Sequence, residues 1–355
     1  MEPCRLAVIG AGLIGAKHAA MVQAHDLCRL VGVSDTAPER SAVAEQLGVP
    51  FYPSVEKLLE SERPDGAIIA TPNARHASVA VACARRGVHV LVEKPIADTL
   101  PSARSIVDAA GQNGISVLVG HHRRHNPLVA KTRELVRGGA LGRLVGVSAL
   151  WTLLKPDDYF RVAWRREHPG GGPLLINLIH DLDSLRFICG SVVSVYAHCN
   201  SAARGYEVED SLAISLSFES GALGTFLASD ATPAVWSYEA TTAENPFYYH
   251  VPENCYHFVG TAASLAFPRM ELWRYVQEQG RGWDHRLEKE RLEVAGADPL
   301  VAQLAHFCRV IRGQEAPVIG AEEAAQSLAL ALAVRQSAAR GTAVCPAELM
   351  AMEDE

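Results

Sequence analysis

Residues 5–15 read RLAVIGAGLIG, and this short run limits the fold more than any other part of the chain. Leu6, Ala7, Val8 and Ile9 form a continuous apolar stretch, the pattern of a strand buried on both faces. Gly10, Gly12 and Gly15 then give G-x-G-x-x-G, and AKHAAMVQAH continues with helical composition. In such a turn the first glycine permits the tight bend. The second lets the backbone approach a pyrophosphate, and the third lets helix and strand pack closely. The start of the helix offers free N–H groups and a partial positive charge to phosphates. Leu13 and Ile14, inside the motif, are therefore expected beside a bound dinucleotide. A second strand, LCRLVGVSD, ends in Asp35, 20 residues past Gly15, where a carboxylate binds the hydroxyls of the adenosine ribose. Thr36, Ala37 and Pro38 follow without an arginine for a 2′-phosphate, which favours NAD over NADP. The other reading of Asp35 is a turn or helix-cap residue.

Strand-like and helix-like runs keep alternating. GAIIAT leads into Pro72 and Asn73, a helix runs through HASVAVACARRG, and VHVLVEKP, LPSARSIVDAAGQNG and ISVLVGHH follow. This series predicts a parallel sheet with helices on both faces and ligands at the carboxyl ends of its strands. Lys94 leaves one of those ends. Successive strand residues point to opposite faces, so Glu93 and Lys94 are not read as a simple ion pair. Glu93 instead organises the turn or touches the cofactor.

With 355 residues the chain accommodates two domains, and 48% hydrophobic with 21% charged residues suits a sizeable core. A net charge of -7 and the lack of a basic stripe argue against nucleic acid, and no apolar run is long enough for a membrane helix. Eight scattered cysteines without a Cys-x-x-Cys pair read as reduced thiols. The start of the chain passes directly into a strand with no leader pattern, and a cytoplasmic protein acting on a small molecule is expected.

From Leu144 the pattern changes to strands joined by turns, with a hairpin-like connection at Glu219, Ser220 and Gly221. Between these strands lies GGGPLLINLIHDLDSLRFICG: three glycines (Gly170 to Gly172), Pro173 for a first helical turn, and Gly190 as a stop. The helix is strongly apolar yet carries Asn177, His180 and Asp183 at i,i+3 spacing, and a buried polar stripe needs partners. Trp151, Lys155, Tyr159 and Trp164 precede it and either line a pocket or pack. Arg123, Arg124, Asn126 and Pro127 follow a strand end, where an arginine holds a carboxylate or hydroxyls. His121, His122 and His125 lie at chelating spacing, but no cysteine or carboxylate set completes a metal site. The aromatic stretch from Glu244 to Phe258 suits a carbohydrate-facing or interface loop, and two helical patterns close the chain.

GAGLIG, ATPNARH (Ala70 to His76), EKP (Glu93 to Pro95), RRHNP (Arg123 to Pro127) and the histidine helix after the glycine triplet together resemble the Gfo/Idh/MocA family of nicotinamide-dependent oxidoreductases. The resemblance spans essentially the whole chain. It implies a Rossmann domain (1–123) and a C-terminal α/β domain (124–355) whose large, open, mostly antiparallel sheet often joins subunits, hence a homodimer or homotetramer. It also implies a catalytic Lys94, a cis bond before Pro95, and Thr71, Pro72 and Asn73 beside the nicotinamide ribose with His76 packed nearby. His180 in relatives hydrogen-bonds the substrate and shares the proton transfer. Arg124, Asn126, Trp164 and Asn177 are the further expected substrate contacts. Many relatives carry an aspartate one turn before the histidine, where this chain has Ile176, so either Asn177 takes that contact or the substrate differs. The implied activity is hydride transfer between NAD and a secondary alcohol or ketone of a sugar, inositol or cyclic polyol. The alternatives are a redox-neutral NAD-dependent lyase or glycosidase, and a cofactor-sensing regulator without catalysis.

Overall fold

The structure, a computed structural model, describes residues 2–275 and 281–351. It divides into two compact units: Met1–His122 with Pro299–Leu328, and Arg123–Asp298 with Ala329–Glu355.

The first unit alternates strands and helices: β1 (Cys4–Ile9), α1 (Leu13–Ala24), β2 (Cys28–Ser34), α2 (Ser41–Leu47), β3 (Phe51–Tyr52), α3 (Val55–Glu62), β4 (Gly66–Ile69), α4 (Asn73–Ala84), β5 (His89–Val92), α5 (Leu100–Asn113) and β6 (Val117–Val119). All six strands are parallel, in the order β3-β2-β1-β4-β5-β6. Order reverses beside β1, which places a topological switch point between β1 and β4, at the glycine turn. β4 is buried along its whole length, as a strand covered on both faces must be.

The second unit begins with α6 (Pro127–Arg137) and β7 (Leu144–Thr152). A π-helical turn (Leu174–Leu178) then runs directly into α7 (Ile179–Cys189). Next come β8 (Val192–Asn200), β9 (Ser211–Phe218), β10 (Leu223–Ser229), α8 (Tyr238–Thr242), β11 (Tyr256–Gly260), β12 (Ala263–Phe267), β13 (Glu271–Arg274) and β14 (Glu288–Arg291). Their sheet has the order β14-β13-β12-β11-β7-β10-β9-β8, antiparallel except for the β7–β10 pair. One face buries Phe226, Ile214, Leu216, Ala149, Trp151 and Phe258. The alternate residues Leu223, Leu227, Val259 and Tyr196 lie exposed on the other.

The chain then returns. α9 (Pro299–Ile311) belongs to the first unit, where a Cβ added at Gly66 would lie 2.7 Å from Ile311 and 3.0 Å from Phe307. Ile319 extends the edge of β6 through a hydrogen bond from the Val119 N–H, and α10 (Ala321–Arg340) starts in the first unit and ends in the second. There Ser337 Oγ accepts the Ala197 N–H of β8. The short α11 (Pro346–Ala351) follows. A single division between residues 123 and 124 therefore leaves out the return of residues 299–328, whose apolar face (Leu304, Phe307, Cys308) supplies core to the first unit.

Candidate active site

In the first unit the expected cofactor residues gather at the carboxyl edge of the parallel sheet. Gly10 has φ +92°, and a Cβ there would sit 2.6 Å from the Ala70 carbonyl. At Gly15 an added Cβ would lie 1.8 Å from the Gly10 oxygen, so helix and turn touch backbone to backbone. Gly12 differs, since nothing lies within 4 Å of its Cβ position. It is the N-cap of α1 and provides no side-chain cap, so the amides of the first turn face open space. Leu13 and Ile14 are exposed beside it, Leu13 at 93%.

Asp35 closes the turn from β2. Its carboxylate accepts the Ala11 N–H (2.7 Å) and the Ala37 N–H (2.9 Å), which makes it a turn residue that still holds a carboxylate at the end of its strand. Pro72 precedes α4 as its N-cap, with Asn73 as the first helical residue. Thr71 Oγ1 is buried with no hydrogen-bond partner among the described residues. The ring nitrogens of buried His76 lie 2.9 Å from the Pro95 and Thr71 carbonyl oxygens. Burial lowers its pKa and favours a neutral ring, which donates to only one of the two.

Glu93 and Lys94 leave β5 here, and the Lys94–Pro95 bond is cis. Glu93 is buried and accepts from His18 Nε2 at 2.7 Å, while its other oxygen takes the Lys94 N–H at 3.2 Å. Burial alone would raise the Glu93 pKa, but the bond and charge of His18, with Lys94 and His122, hold it at about 2. Glu93 thus pins the end of β5 to α1, and Gly120 makes room, since a Cβ there would lie 2.9 Å from Glu93 Oε2. His18 was not singled out in the sequence. Its signal is a lone histidine one turn after Gly15 in a helix of small and apolar residues. Lys94 itself is half-buried. Open amides, an unpartnered hydroxyl and a strand-end carboxylate fit a bound dinucleotide.

In the second unit most expected substrate contacts turn out to be tied to internal partners. Arg124 forks onto Asp183 with Nε and Nη2 at 2.9 and 2.7 Å, and both side chains are buried. Asn126 caps α6 by accepting the Leu128 N–H (2.9 Å) and donates to Glu244 (2.7 Å). A buried guanidinium needs a carboxylate, and both positions have an internal partner. Arg123 serves in the same way: it reaches Asp181 at 3.0 Å and Glu239 at 2.8 Å and stacks on Tyr238 at 3.8 Å. Tyr256 and Trp151 donate to the same two carboxylates. Burial raises the Asp181 pKa to about 6 against the pull of Arg123, and Glu239 adds to the rise. Trp151 is thus a core residue of β7, whereas Trp164 is exposed, with Arg165 5.9 Å from its ring.

Of the three polar residues of the histidine helix, Asn177 lies in the π turn, whose wider spacing offsets it from His180 and Asp183 in α7. Asn177 Oδ1 accepts from Lys155 Nζ at 2.8 Å, Asp183 holds Arg124, and His180 sits in the first turn of α7 at 7% exposure. Gly172 (φ +83°) lets Glu209 approach: an added Cβ would meet Glu209 Oε1 at 2.4 Å, and that carboxylate takes the Leu174 N–H at 3.0 Å. Among the described residues no group of three His, Cys, Asp or Glu side chains is arranged to hold a metal, all eight cysteines are free, and no helix is long and apolar enough to cross a membrane.

Residues 4–121 match the oxidoreductase family's NAD-binding Rossmann fold, and residues 133–346 match its C-terminal alpha/beta domain. A 1,5-anhydro-D-fructose reductase from Ensifer adhaerens is 31% identical over 347 residues, covering 94% of this chain and 97% of the relative. The WlbA dehydrogenase from Bordetella pertussis, solved with NADH and UDP-GlcNAcA, superimposes with a TM-score of 0.76 at 25% identity over 97% of this chain and 99% of its own. An oxidoreductase from Agrobacterium radiobacter, solved with NAD+, L-tartaric acid and magnesium, shares the fold with a TM-score of 0.82 at 20% identity, covering 98% and 100% of the two chains. The chain belongs to the Gfo/Idh/MocA family of oxidoreductases, whose N-terminal half binds NAD.

Proposed function

We propose that this protein interconverts a secondary alcohol and a ketone on a sugar, inositol or related cyclic polyol, with Lys94 and His180 as its proton-transfer groups. The chemistry that bound NAD would supply is acceptance or donation of the hydride. The open amides at Gly12 and the first turn of α1 hold its pyrophosphate, and Asp35 holds the adenosine ribose. The Lys94 amine accepts the hydroxyl proton on oxidation and returns it on reduction, aided by a cationic neighbour that disfavours the ammonium form. His180 hydrogen-bonds the reacting oxygen. Glu93, ionised and bonded to His18, keeps the end of β5 in place and thereby the position of Lys94. What supports the reading most is the combination, on one edge of one sheet, of an open glycine turn with a strand-end lysine; names of relatives such as the 1,5-anhydro-D-fructose reductase support the substrate class.

The test is formation of reduced nicotinamide from NAD with a panel of cyclic polyols and sugars. Lys94→Ala is expected to lower the turnover number by about 100-fold or more while NAD still binds. Near-native turnover in that variant sinks the role of Lys94.

The exposed face of the eight-stranded sheet is proposed as the subunit contact, giving a homodimer or homotetramer. Leu223 (63% exposed) and Leu227 (52%) of β10 and Val259 (42%) of β11 lie there on the two strands that flank β7. Light scattering should show an oligomer for the native chain and a smaller species for Leu227→Asp. A monomeric native chain removes the proposal.

A further inference from the structure

The second unit holds a buried lysine that the proton-transfer scheme does not use. Lys155 is 7% exposed, just past β7, and fixed along its whole length. Its backbone N–H donates to the Asp230 carbonyl, its own carbonyl accepts from Arg204, and its ammonium lies between the rings of Tyr159 (4.7 Å) and Trp151 (5.6 Å). Nζ reaches Asn177 Oδ1 at 2.8 Å and Asp230 Oδ2 at 3.4 Å. The other oxygen of Asp230 takes Arg204 Nε at 2.9 Å. Burial lowers the Lys155 pKa, Asp230 opposes that shift, and the Asp230 carboxylate at 3.4 Å is the counter-charge for an ammonium at this position.

An ammonium has three donors and no acceptor, so the atom of Asn177 that faces it must be the amide oxygen. This settles the orientation of the amide. Its NH2 group points elsewhere, Asn177 is only half-buried, and no acceptor among the described residues takes Nδ2. A cation on the oxygen polarises the amide and strengthens its N–H as a donor. The acceptors of this group face inward: Asn177 Oδ1 toward Lys155, and the Asp230 oxygens toward Lys155 and Arg204, so they lie away from the side that Nδ2 presents. A ligand hydroxyl at Nδ2 therefore finds a donor, but no acceptor in this pair for its own proton. A carbonyl or carboxylate oxygen, which carries no proton, meets no such deficit. An unmet buried donor costs about 1–3 kcal/mol, or roughly 5- to 150-fold in affinity.

We propose that Lys155 and Asn177 form a donor-only subsite, in which Lys155 positions the Asn177 amide and the amide receives a carbonyl or carboxylate oxygen of the substrate. The inference rests on the sugar or polyol reading above and narrows it to ketones or acids of that class.

The experiment is isothermal titration of the full chain in a Lys94→Ala background, which binds the coenzyme but turns over slowly, saturated with NADH, using two matched pairs: 2-keto-myo-inositol against myo-inositol, and D-glucuronate against D-glucose. The expected result is binding at least about 10-fold tighter for the ketone, the acid or both over the plain hydroxyl partner. The two arms tell a ketone from a carboxylate. Asn177→Asp, which keeps size and shape but presents an acceptor, should lose or invert that ratio, and Lys155→Met should move it toward unity. A purely structural role would weaken all four probes together and lower the melting temperature without changing the ratio. Equal binding within both pairs, no binding of any probe, or a ratio that survives Asn177→Asp overturns the proposal. Turnover of the polyol panel with no preference in titration defeats this inference alone. Failure to bind NADH or turn over any member defeats the reading beneath it.

Discussion

The glycine turn of the first unit and the charge network of the second solve opposite problems. Around Gly10, Gly12 and Gly15 the chain makes a site by removing side chains, so that backbone meets backbone and the remaining amides face outward. Around Arg123, Arg124 and Lys155 it makes a frame by burying charge, each cation answered by carboxylates from distant parts of the sequence. The first device is local, with every contact inside a few residues or one strand away. The second joins Arg123 to Glu239, 116 positions apart, and Arg124 to Asp183, 59 apart. Steric necessity controls one and electrostatic pairing the other, and the two should fail differently.

The largest effect should come from the charge network. Arg123→Met leaves Asp181 and Glu239 facing each other without a cation, and about 3–5 kcal/mol of stability should be lost in chemical denaturation. A loss below about 1 kcal/mol would mean that the cluster contributes little. The glycine turn should divide into two behaviours. Gly15→Ala forces a Cβ against the Gly10 oxygen and should lower NAD affinity by about 100-fold together with some stability. Gly12→Ala meets nothing in the folded chain, so its melting temperature should stay native while NAD affinity alone falls. Native NAD affinity in the Gly12 variant would break the contrast. The mildest change sits where the two kinds of design meet. Asp35 is a charge that also ties the turn, and Asp35→Ala should shift preference from NAD toward NADP by roughly 10-fold. An unchanged ratio of the two affinities would leave Asp35 a turn residue only.

The first unit was largely legible because its signals are short-range. The apolar run of β1, the glycine spacing and the acidic end of β2 occur in order, and the structure places them side by side on one sheet edge. Even there His18 escaped notice, because its meaning depends on Glu93, 75 residues away. In the second unit the residue types were visible but their partners were not. Arg124 and Asn126 were visible as polar residues after a strand end, but not their internal partners Asp183 and Glu244. The i,i+3 stripe of Asn177, His180 and Asp183 presumed a regular α-helix, but the π turn from Leu174 to Leu178 takes Asn177 out of that register, while His180 and Asp183 keep it within α7.

By itself, the amino-acid order determined the parallel sheet, the dinucleotide turn and the strand-end lysine, because hydrophobic period and glycine spacing act over distances the chain spans within a few residues. Only the tertiary structure decided which cation answers which carboxylate, that residues 299–328 return to the first unit, and that Lys155 turns the Asn177 amide. Those outcomes depend on loops closing over tens of residues, and on buried charges taking the partner the fold brings within about 3 Å.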